Sequence, residues 1–333
     1  MTEPSEQPFS TEVQPADAPG ALGQAAGLLG QGQLVALPTE TVYGLAADAR
    51  SPEATARIFE AKGRPAGNPL IVHVDSVEMA QGCVAAWPSG AAQLTGAFWP
   101  GPLSLVLPKA DSIPDIVTAG GKTVAVRCPA HPVFSAVLAK CGFPLAAPSA
   151  NRSNHVSPTR AEHVVDQLGG YIPLVLDGGS CDIGIESTVI DLTGDTPTLL
   201  RPGMISLGQL QAVIGSVAVA KPPADDESLK SPGQLQKHYS PRAKLVVCGD
   251  LATALAQADE TTHVIAHEPA PAIWPGERWH HLPGAATDFA RELYDTLHRC
   301  DRLGAGTILV QSLPGTDEWA ALRDRLNRAA AGG

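Results

Sequence analysis

The sequence predicts an α/β protein in two parts: a large domain on a twisted mixed sheet, and a smaller parallel-sheet domain towards the C-terminus. Three observations carry this. Apolar strand-like runs and helix signals follow one another up to residue 214 without a regular strand–helix–strand beat, which suggests a twisted α/β or α+β sheet. From about residue 215 to 242 the periodicity stops, and Pro222, Pro223, Pro232 and Pro241 punctuate a charged, Ser- and Gly-containing linker. Beyond it, strands and helices alternate regularly.

In order, residues 1–16 are rich in Pro, Glu, Ser and Thr and read as a disordered tail. Pro19 to Gly30 reads as a helix leading into a strand at Leu34–Leu37, and T-E-T-V-Y-G-L (Thr39 to Leu45) reads as a polar turn before a short helix-like segment. Ser51 followed by Pro52 is an N-cap with proline at the first helical position, and Gly63 closes that helix. A buried-type strand is expected at Leu70–Val74, helical patches at 76–86 and 90–98, strands at Leu103–Leu107 and Thr123–Arg127, and a helix near 132–140. A polar loop covers Pro148 to Thr159. Ala161–Leu168 looks helical, and Leu174–Leu176, Thr188–Leu192 and Thr198–Leu200 look like strands. After the linker come strands at Leu245–Val247, Thr262–Ala266 and Thr307–Val310, with helices near 251–257 and 286–302 and at the end.

Bulk composition narrows the function. At 333 residues with 44% hydrophobic and 17% charged residues, the chain has the makings of a soluble globular protein with a real core. Aromatic residues make up only 5%, too few for an aromatic platform under sugars or single-stranded nucleic acid. A net charge of −11 repels polyanions, leaving room only for a local basic cleft. The six cysteines contain no C-x-x-C pair, so neither a disulfide framework nor a zinc site is expected. The polar N-terminus lacks a signal-peptide core, and no run of about 18 apolar residues occurs, so a cytoplasmic location is expected.

The residues that could carry chemistry are mostly cations and small hydroxyls. G-G-K-T (Gly120 to Thr123) is not a Walker A loop, since Ile116 stands where a glycine is required. Lys62 and Arg64 lie beside a Gly- and Pro-rich bend, K-G-R-P-A-G-N-P, as cations suited to phosphate. A helix C-terminus alone would favour cations there by roughly 0.3–1 kcal/mol, so the helix dipole is a competing explanation. Arg127 and Arg201 end strands just before Cys128-Pro129 and Pro202, where ligands gather in open α/β sheets. The Pro148–Thr159 loop offers Ser149, Asn151, Ser153, Asn154, Ser157 and Thr159 as small donors able to cradle phosphate.

The order of motifs is more specific than any one of them. P-T-E-T-V-Y-G-L, K-G-R-P-A-G-N-P-L-I-V-H, W-P-G-P-L, T-V-A-V-R-C-P, A-P-S-A-N-R-S, S-P-T, E-S-T-V-I-D and L-R-P-G follow one another, and P-G-Q-L-Q-K-H-Y-S-P occupies the linker. In this the chain resembles the threonylcarbamoyl-AMP synthase family in its longer, two-domain version. The resemblance implies a YrdC-like catalytic domain over 17–214, a linker and lid over 215–242, and a small Rossmann-like domain over 243–330. One departure is that Asn154 stands where the family pattern S-A-N-x-S-G has glycine. Asparagine is the next-best residue for left-handed backbone.

The resemblance further implies an L-threonylcarbamoyladenylate synthase, a nucleotidyltransferase that condenses L-threonine, bicarbonate or CO2, and ATP, releasing pyrophosphate. Its product serves threonylcarbamoyl transferase proteins that modify tRNA. By motif match, Arg64, Asn68, Thr123, Ser149, Ser157 and Arg201 would contact ATP, Lys62 would neutralise phosphate charge, and Tyr239 would close over the nucleotide. Thr41, His73, Arg127, Ser187 and the backbone at Ala147 would contact threonine. Without the match, His73 reads as a core histidine on an apolar strand. Mg2+ is expected with ATP, bound through phosphates and water and not by a protein-only metal site. Two alternatives share the core. A carbamoyl-adenylate-forming enzyme of hydrogenase maturation is opposed by the lack of C-x-x-C. A double-stranded RNA-binding module is opposed by the balance of residues 1–213, eleven cations against nineteen anions, or −8.

Overall fold

A computed structural model describes residues 9–221, 230–233, 238–271 and 274–331. The first half of the large domain comprises β1 (Glu12–Pro15), α1 (Ala21–Gly30), β2 (Val35–Leu37), β3 (Gly44–Asp48), α2 (Pro52–Lys62), β4 (Ile71–His73), α3 (Val77–Cys83), α4 (Ser89–Phe98) and β5 (Leu103–Pro108). Its second half comprises β6 (Thr123–Arg127), α5 (Pro132–Cys141), β7 (Leu145–Ala146), α6 (Ala161–Leu168), β8 (Leu174–Asp177), β9 (Thr188–Asp191), β10 (Thr198–Arg201), α7 (Leu207–Ile214) and β11 (Ala218–Val219). These strands form one mixed sheet in the order β1-β8-β2-β3-β7-β4-β6-β5-β9-β10-β11. The expected α/β class with a mixed sheet is what the chain adopts.

The small domain contains β12 (Lys244–Cys248), α8 (Leu251–Leu255), β13 (Thr262–Ala266), β14 (Trp279–His281), α9 (Ala286–Arg302), β15 (Thr307–Gln311) and α10 (Ala320–Ala330). Its sheet is parallel throughout, in the order β12-β15-β13-β14. Helix α9 shows why this domain sits where it does. Phe289, Ala290, Leu293, Tyr294 and Leu297 recur at helical spacing, and they share one buried cluster with Val42, Val156 and Ile185 of the large domain. The interface between the domains is therefore part of a core.

Two expectations need correction. Residues 12–15 are not tail: β1 pairs parallel with β8, Glu12 opposite Leu174 through Pro15 opposite Asp177. An outermost strand tolerates charge and a terminal proline, which is why its composition reads as disorder. Residues 1–8 of the expected tail, and 222–229 and 234–237 of the expected linker, lie outside the described residues. Residues 44–48 form a strand that starts inside the stretch read as a polar turn, and the helix-like segment expected after that turn is α2. Gly44–Asp48 pairs antiparallel with both β2 and β7, and its alanines are buried. Alanine has little strand preference of its own, so burial in the sheet overrides propensity here.

Where strands end decides the site. In the parallel pair β4–β6, His73 is the register partner of Arg127. On the other side of β6 the sheet continues through β5 to β9, which begins one residue after Ser187. The antiparallel pair β9–β10 slips register between Leu199 and Arg201, an irregularity of the kind that re-aims a side chain at a strand end.

Candidate active site

Each site side chain has a local reason for its place. Ser51 accepts from the Ala54 N–H, Pro52 opens α2, and Gly63 ends it in left-handed conformation at φ 59°, turning Lys62 and Arg64 back over the sheet. The Pro148–Thr159 loop is held from several sides. The Tyr43 N–H donates to Pro158 O and the Ala150 N–H to Tyr43 O, both at 2.8 Å. Asn154 adopts φ 69°, so asparagine does fill the left-handed position usually given to glycine.

These elements enclose a cavity lined by Thr41, Arg64, His73, Arg127, Ala147, Ser149, Ser187, Arg201 and Tyr239, together with residues the sequence reading had not singled out: Thr39, Pro148, Glu186, Gly233 and His238. Three guanidinium groups thus face one space with, among the described residues, a single lining carboxylate, Glu186. Such a wall suits a polyanion. Arg64 is pinned by Nε to Asn68 O at 3.1 Å and by Nη2 to Pro69 O at 2.8 Å. Arg201 donates Nε to Ser187 O and Nη2 to Ser187 Oγ, each at 3.1 Å, and Nη1 to Pro232 O at 3.2 Å. Ser187 Oγ also lies 2.8 Å from Ser104 Oγ. Burial, and secondarily Arg201, holds Arg64 below the ordinary arginine value, yet a guanidinium stays protonated at neutral pH.

At the other end of β4 and β6, Arg127 Nη2 forms an ion pair with buried Glu40 Oε1 at 2.7 Å, and its Nε donates to Gly101 O at 3.3 Å. His73 lies against Phe134, ring centres 5.1 Å apart. Burial first, and Arg127 second, push His73 down to about 3, so it is a neutral imidazole at physiological pH. The Ala147 N–H is bonded to Ile71 O.

Lys62, Asn68, Thr123 and Ser157 are not among the residues that line the cavity. Lys62 Nζ donates to the backbone carbonyls of Ser149 and Asn151, so its ammonium clamps the loop and does not line the cavity. Burial and the neighbouring Arg64 lower its affinity for a proton well below that of an ordinary lysine. Ser157 Oγ donates to Glu186 Oε1 at 2.6 Å. Asn68 is buried beside Arg64, with neither atom of its side-chain amide hydrogen-bonded. Thr123 starts β6 two residues before Ala125, which pairs with Ile71, so it stands at the Asn68 end of β4, away from His73 and Arg127. Tyr239 lies at φ 62°, is fully buried, and has its ring centre 4.0 Å from that of His238, the planes tilted by 55°. Gly233, at φ 81°, packs so tightly that a Cβ there would come within 2.6 Å of the Tyr239 hydroxyl and 2.8 Å of Arg201 Cδ. Gly233 and Tyr239, from the segment between the domains, therefore pack directly onto the cationic wall.

Comparison with known proteins places this geometry. The family profile described as "Telomere recombination", for Sua5, YciO and YrdC proteins, matches residues 27–203, and the one described as "Threonylcarbamoyl-AMP synthase, C-terminal domain" matches residues 205–331. The chain is 41% identical over 322 residues to the threonylcarbamoyl-AMP synthase of Bacillus subtilis, covering 93% of each protein. This chain belongs to the threonylcarbamoyl-AMP synthase family. It is similar in structure to Pyrococcus abyssi Sua5 complexed with L-threonine, at TM-score 0.88 and 37% identity over 97% of both chains. A putative threonylcarbamoyl-AMP synthase of Mycobacterium tuberculosis is 44% identical over 192 residues, which is 57% of this chain and 88% of that protein. Membership of the threonylcarbamoyl-AMP synthase family makes the protein an enzyme. Among the described residues no helix is long and apolar enough to cross a membrane.

Glu186, Glu40 and Arg325 are the charged residues that sequence reasoning missed. Glu186 directly precedes Ser187 in E-S-T-V-I-D. Arg325 carries a readable signal: it falls on the same face of the last helix as Leu322, Leu326 and Ala329, all buried. A charge on an apolar stripe has a buried partner somewhere.

Proposed function

We propose that this protein is an L-threonylcarbamoyladenylate synthase, a nucleotidyltransferase that joins L-threonine, bicarbonate or CO2, and ATP. The observation that carries this reading is the division of one cavity into two chemistries. Arg64, Arg201, Ser149 and Tyr239 form a cationic wall with a cover, while Arg127, neutral His73, Thr41 and Ala147 gather at the other end of the strands. The P. abyssi relative, complexed with L-threonine, supports the second half.

In the reaction the threonine amine attacks CO2 and loses a proton to give a carbamate; with bicarbonate, the same step releases water. A carbamate oxygen then attacks the α-phosphorus of ATP, and pyrophosphate leaves with the electron pair of the broken P–O bond. Arg127 holds the threonine carboxylate, and Glu40 fixes the guanidinium that does so. Arg64 and Arg201 neutralise the charge that accumulates on the phosphates, and Lys62 holds the Ser149–Asn151 loop at their side. Ser187 Oγ sits between Ser104 and Arg201 and, among the described residues, has no histidine bonded to it, so it binds and is not activated as a nucleophile. Catalysis on this account is positioning and charge stabilisation.

Mg2+ enters with ATP as part of the substrate. Glu186 is the cavity's one lining carboxylate among the described residues, and both its oxygens already accept hydrogen bonds. The ion's ligands would therefore be phosphate and water. The product passes to threonylcarbamoyl transferase proteins acting on tRNA, with little direct nucleic-acid binding by this chain, in the cytoplasm. An omit-one assay tests the reading: pyrophosphate release from ATP should need both threonine and bicarbonate. Release that persists without threonine would reject it.

A further inference from the structure

The second domain places one cation behind the residues that line the cavity. Arg325 is fully buried on α10. Its Nε donates to Glu186 Oε2 at 2.7 Å, and its Nη2 to the Glu186 backbone carbonyl at 3.4 Å. The guanidinium carbon lies 5.1 Å from the centre of the Tyr239 ring, within cation–π range. Glu186 lines the cavity and belongs to the large domain, so this pair crosses the domain boundary. Tyr294 of α9 adds a second contact from the same side, its hydroxyl donating to Glu186 Oε2 at 3.1 Å.

Two cations favour the charged form of Glu186. Arg325 is one. Arg201 is the other; it bonds Ser187 and faces the cavity. A carboxylate buried this deeply must be paired. If Arg325 did not satisfy it, the remaining nearby cation would be Arg201, drawn away from the cavity and from Ser187. We propose that Arg325 is a positioning residue for ATP: it neutralises Glu186, so that Arg201 stays free for phosphate and Ser157 and Tyr239 keep their places in the wall and its cover. This rests on the function proposed above. It assigns to the second domain a part in the site itself.

The groups facing Glu186 are Arg325 and, behind it, Asp324 from α10, Tyr294 from α9, Arg201 from β10, Ser157 from the loop, and His238 and Tyr239 from the segment between the domains. Burial alone would raise the Glu186 carboxyl; Arg325 first, then Arg201 and the Ser157 bond, outweigh it and hold it below the usual carboxylate value. Burial holds His238 at about 3 and pushes Tyr294 upward, so neither titrates between pH 5.5 and 8, taken as about the working range. Removing Arg325 removes the largest opposing influence, and the Glu186 carboxyl must rise. At lower pH it then becomes neutral and releases Arg201.

The test uses the full chain and steady-state pyrophosphate release. Arg325→Met should raise the KM for ATP by about 10- to 100-fold, corresponding to one or two charge-assisted contacts. That defect should shrink as pH falls from 8 to 5.5, while the parent's KM stays flat. Arg325→Lys, which keeps the charge, should stay within about fivefold of the parent, the loss of a single weak contact. The double variant Glu186→Gln with Arg325→Met has no buried charge left to compensate and should return to within about threefold of the parent. It also keeps the test open if the single Met variant does not fold. A pH-independent defect, or a double variant as poor as the single one, would show that Arg325 serves packing only. A parent without threonine-dependent pyrophosphate release would overturn the proposed function together with this role; an active parent matched by Arg325→Met would overturn the role alone.

Discussion

Replacing Arg127 separates the two halves of the cavity most cleanly. Its guanidinium stands beside His73 at the end of β6 and is already ion-paired to Glu40 at 2.7 Å. On the proposed mechanism it also forms a two-bond contact with the threonine carboxylate. Hydrogen bonds to charged groups contribute about 1.5–3 kcal/mol each. Losing a shared pair should therefore cost about 3 kcal/mol, or a rise of about 100-fold in the threonine KM. The ATP KM should change by less than about threefold, because Arg64 and Arg201 hang from other elements and independent sites are nearly additive. Arg127→Met has a second effect that must not be confused with the first. It leaves Glu40 buried without its cation, which costs stability of about 3–5 kcal/mol. Adding Glu40→Gln should recover much of the melting temperature but none of the threonine affinity. Steady-state pyrophosphate release, with each substrate varied in turn, and a thermal melt of each variant measure both effects. Equal rises in the threonine and ATP KM, or recovery of threonine affinity in the double variant, would refute the carboxylate assignment.

Other predictions follow from the same geometry. Arg64→Ala should abolish ATP-dependent pyrophosphate release while leaving the circular dichroism spectrum unchanged; turnover at the parent rate would end its phosphate role. His73 is held at about 3 by burial, so threonine binding should show no ionisation near pH 6, and His73→Asn should have the same pH profile as the parent between about pH 5.5 and 8. An acidic limb lost on that substitution would contradict the neutral imidazole. Gly184 has φ 83°, and a Cβ there would lie 2.4 Å from the Ala290 carbonyl oxygen on α9. Gly184→Ala should therefore destabilise the protein by at least about 1–3 kcal/mol, seen as a lower melting temperature, and an unchanged melt would mean that the domains do not pack this closely in solution.

Much of this arrangement is legible in the chain, for identifiable reasons. Helix α2 declares itself through Ser51, Pro52 and Gly63, since a cap, a fixed φ and a left-handed terminus are local chemistry. Helix α9 does so through its apolar face. Strand β3 does not, because G-L-A-A-D becomes a strand only between β2 and β7. Helix α7 carries a local signal too, the capping box formed by Ser206 and Gln209. In the site, Arg64, Arg127 and Arg201 could be picked out as cations at loop and strand ends. Lys62 stood out for the same reason, but its direction, towards two loop carbonyls, is set by a loop some 87 residues further on. Glu186 and Arg325 form the extreme case: they are 139 residues apart and in different domains, and only the packing of α10 against the large domain pairs them.

The central claim is that one cavity joins threonine and CO2 to the adenylyl group of ATP. Incubation with 13C-bicarbonate, L-threonine and MgATP, followed by mass spectrometry of the nucleotide products, tests it most directly. The account predicts an adenylate that carries both threonine and one 13C atom, formed in equal amount with pyrophosphate. AMP and pyrophosphate without a threonine-bearing, labelled adenylate would contradict it.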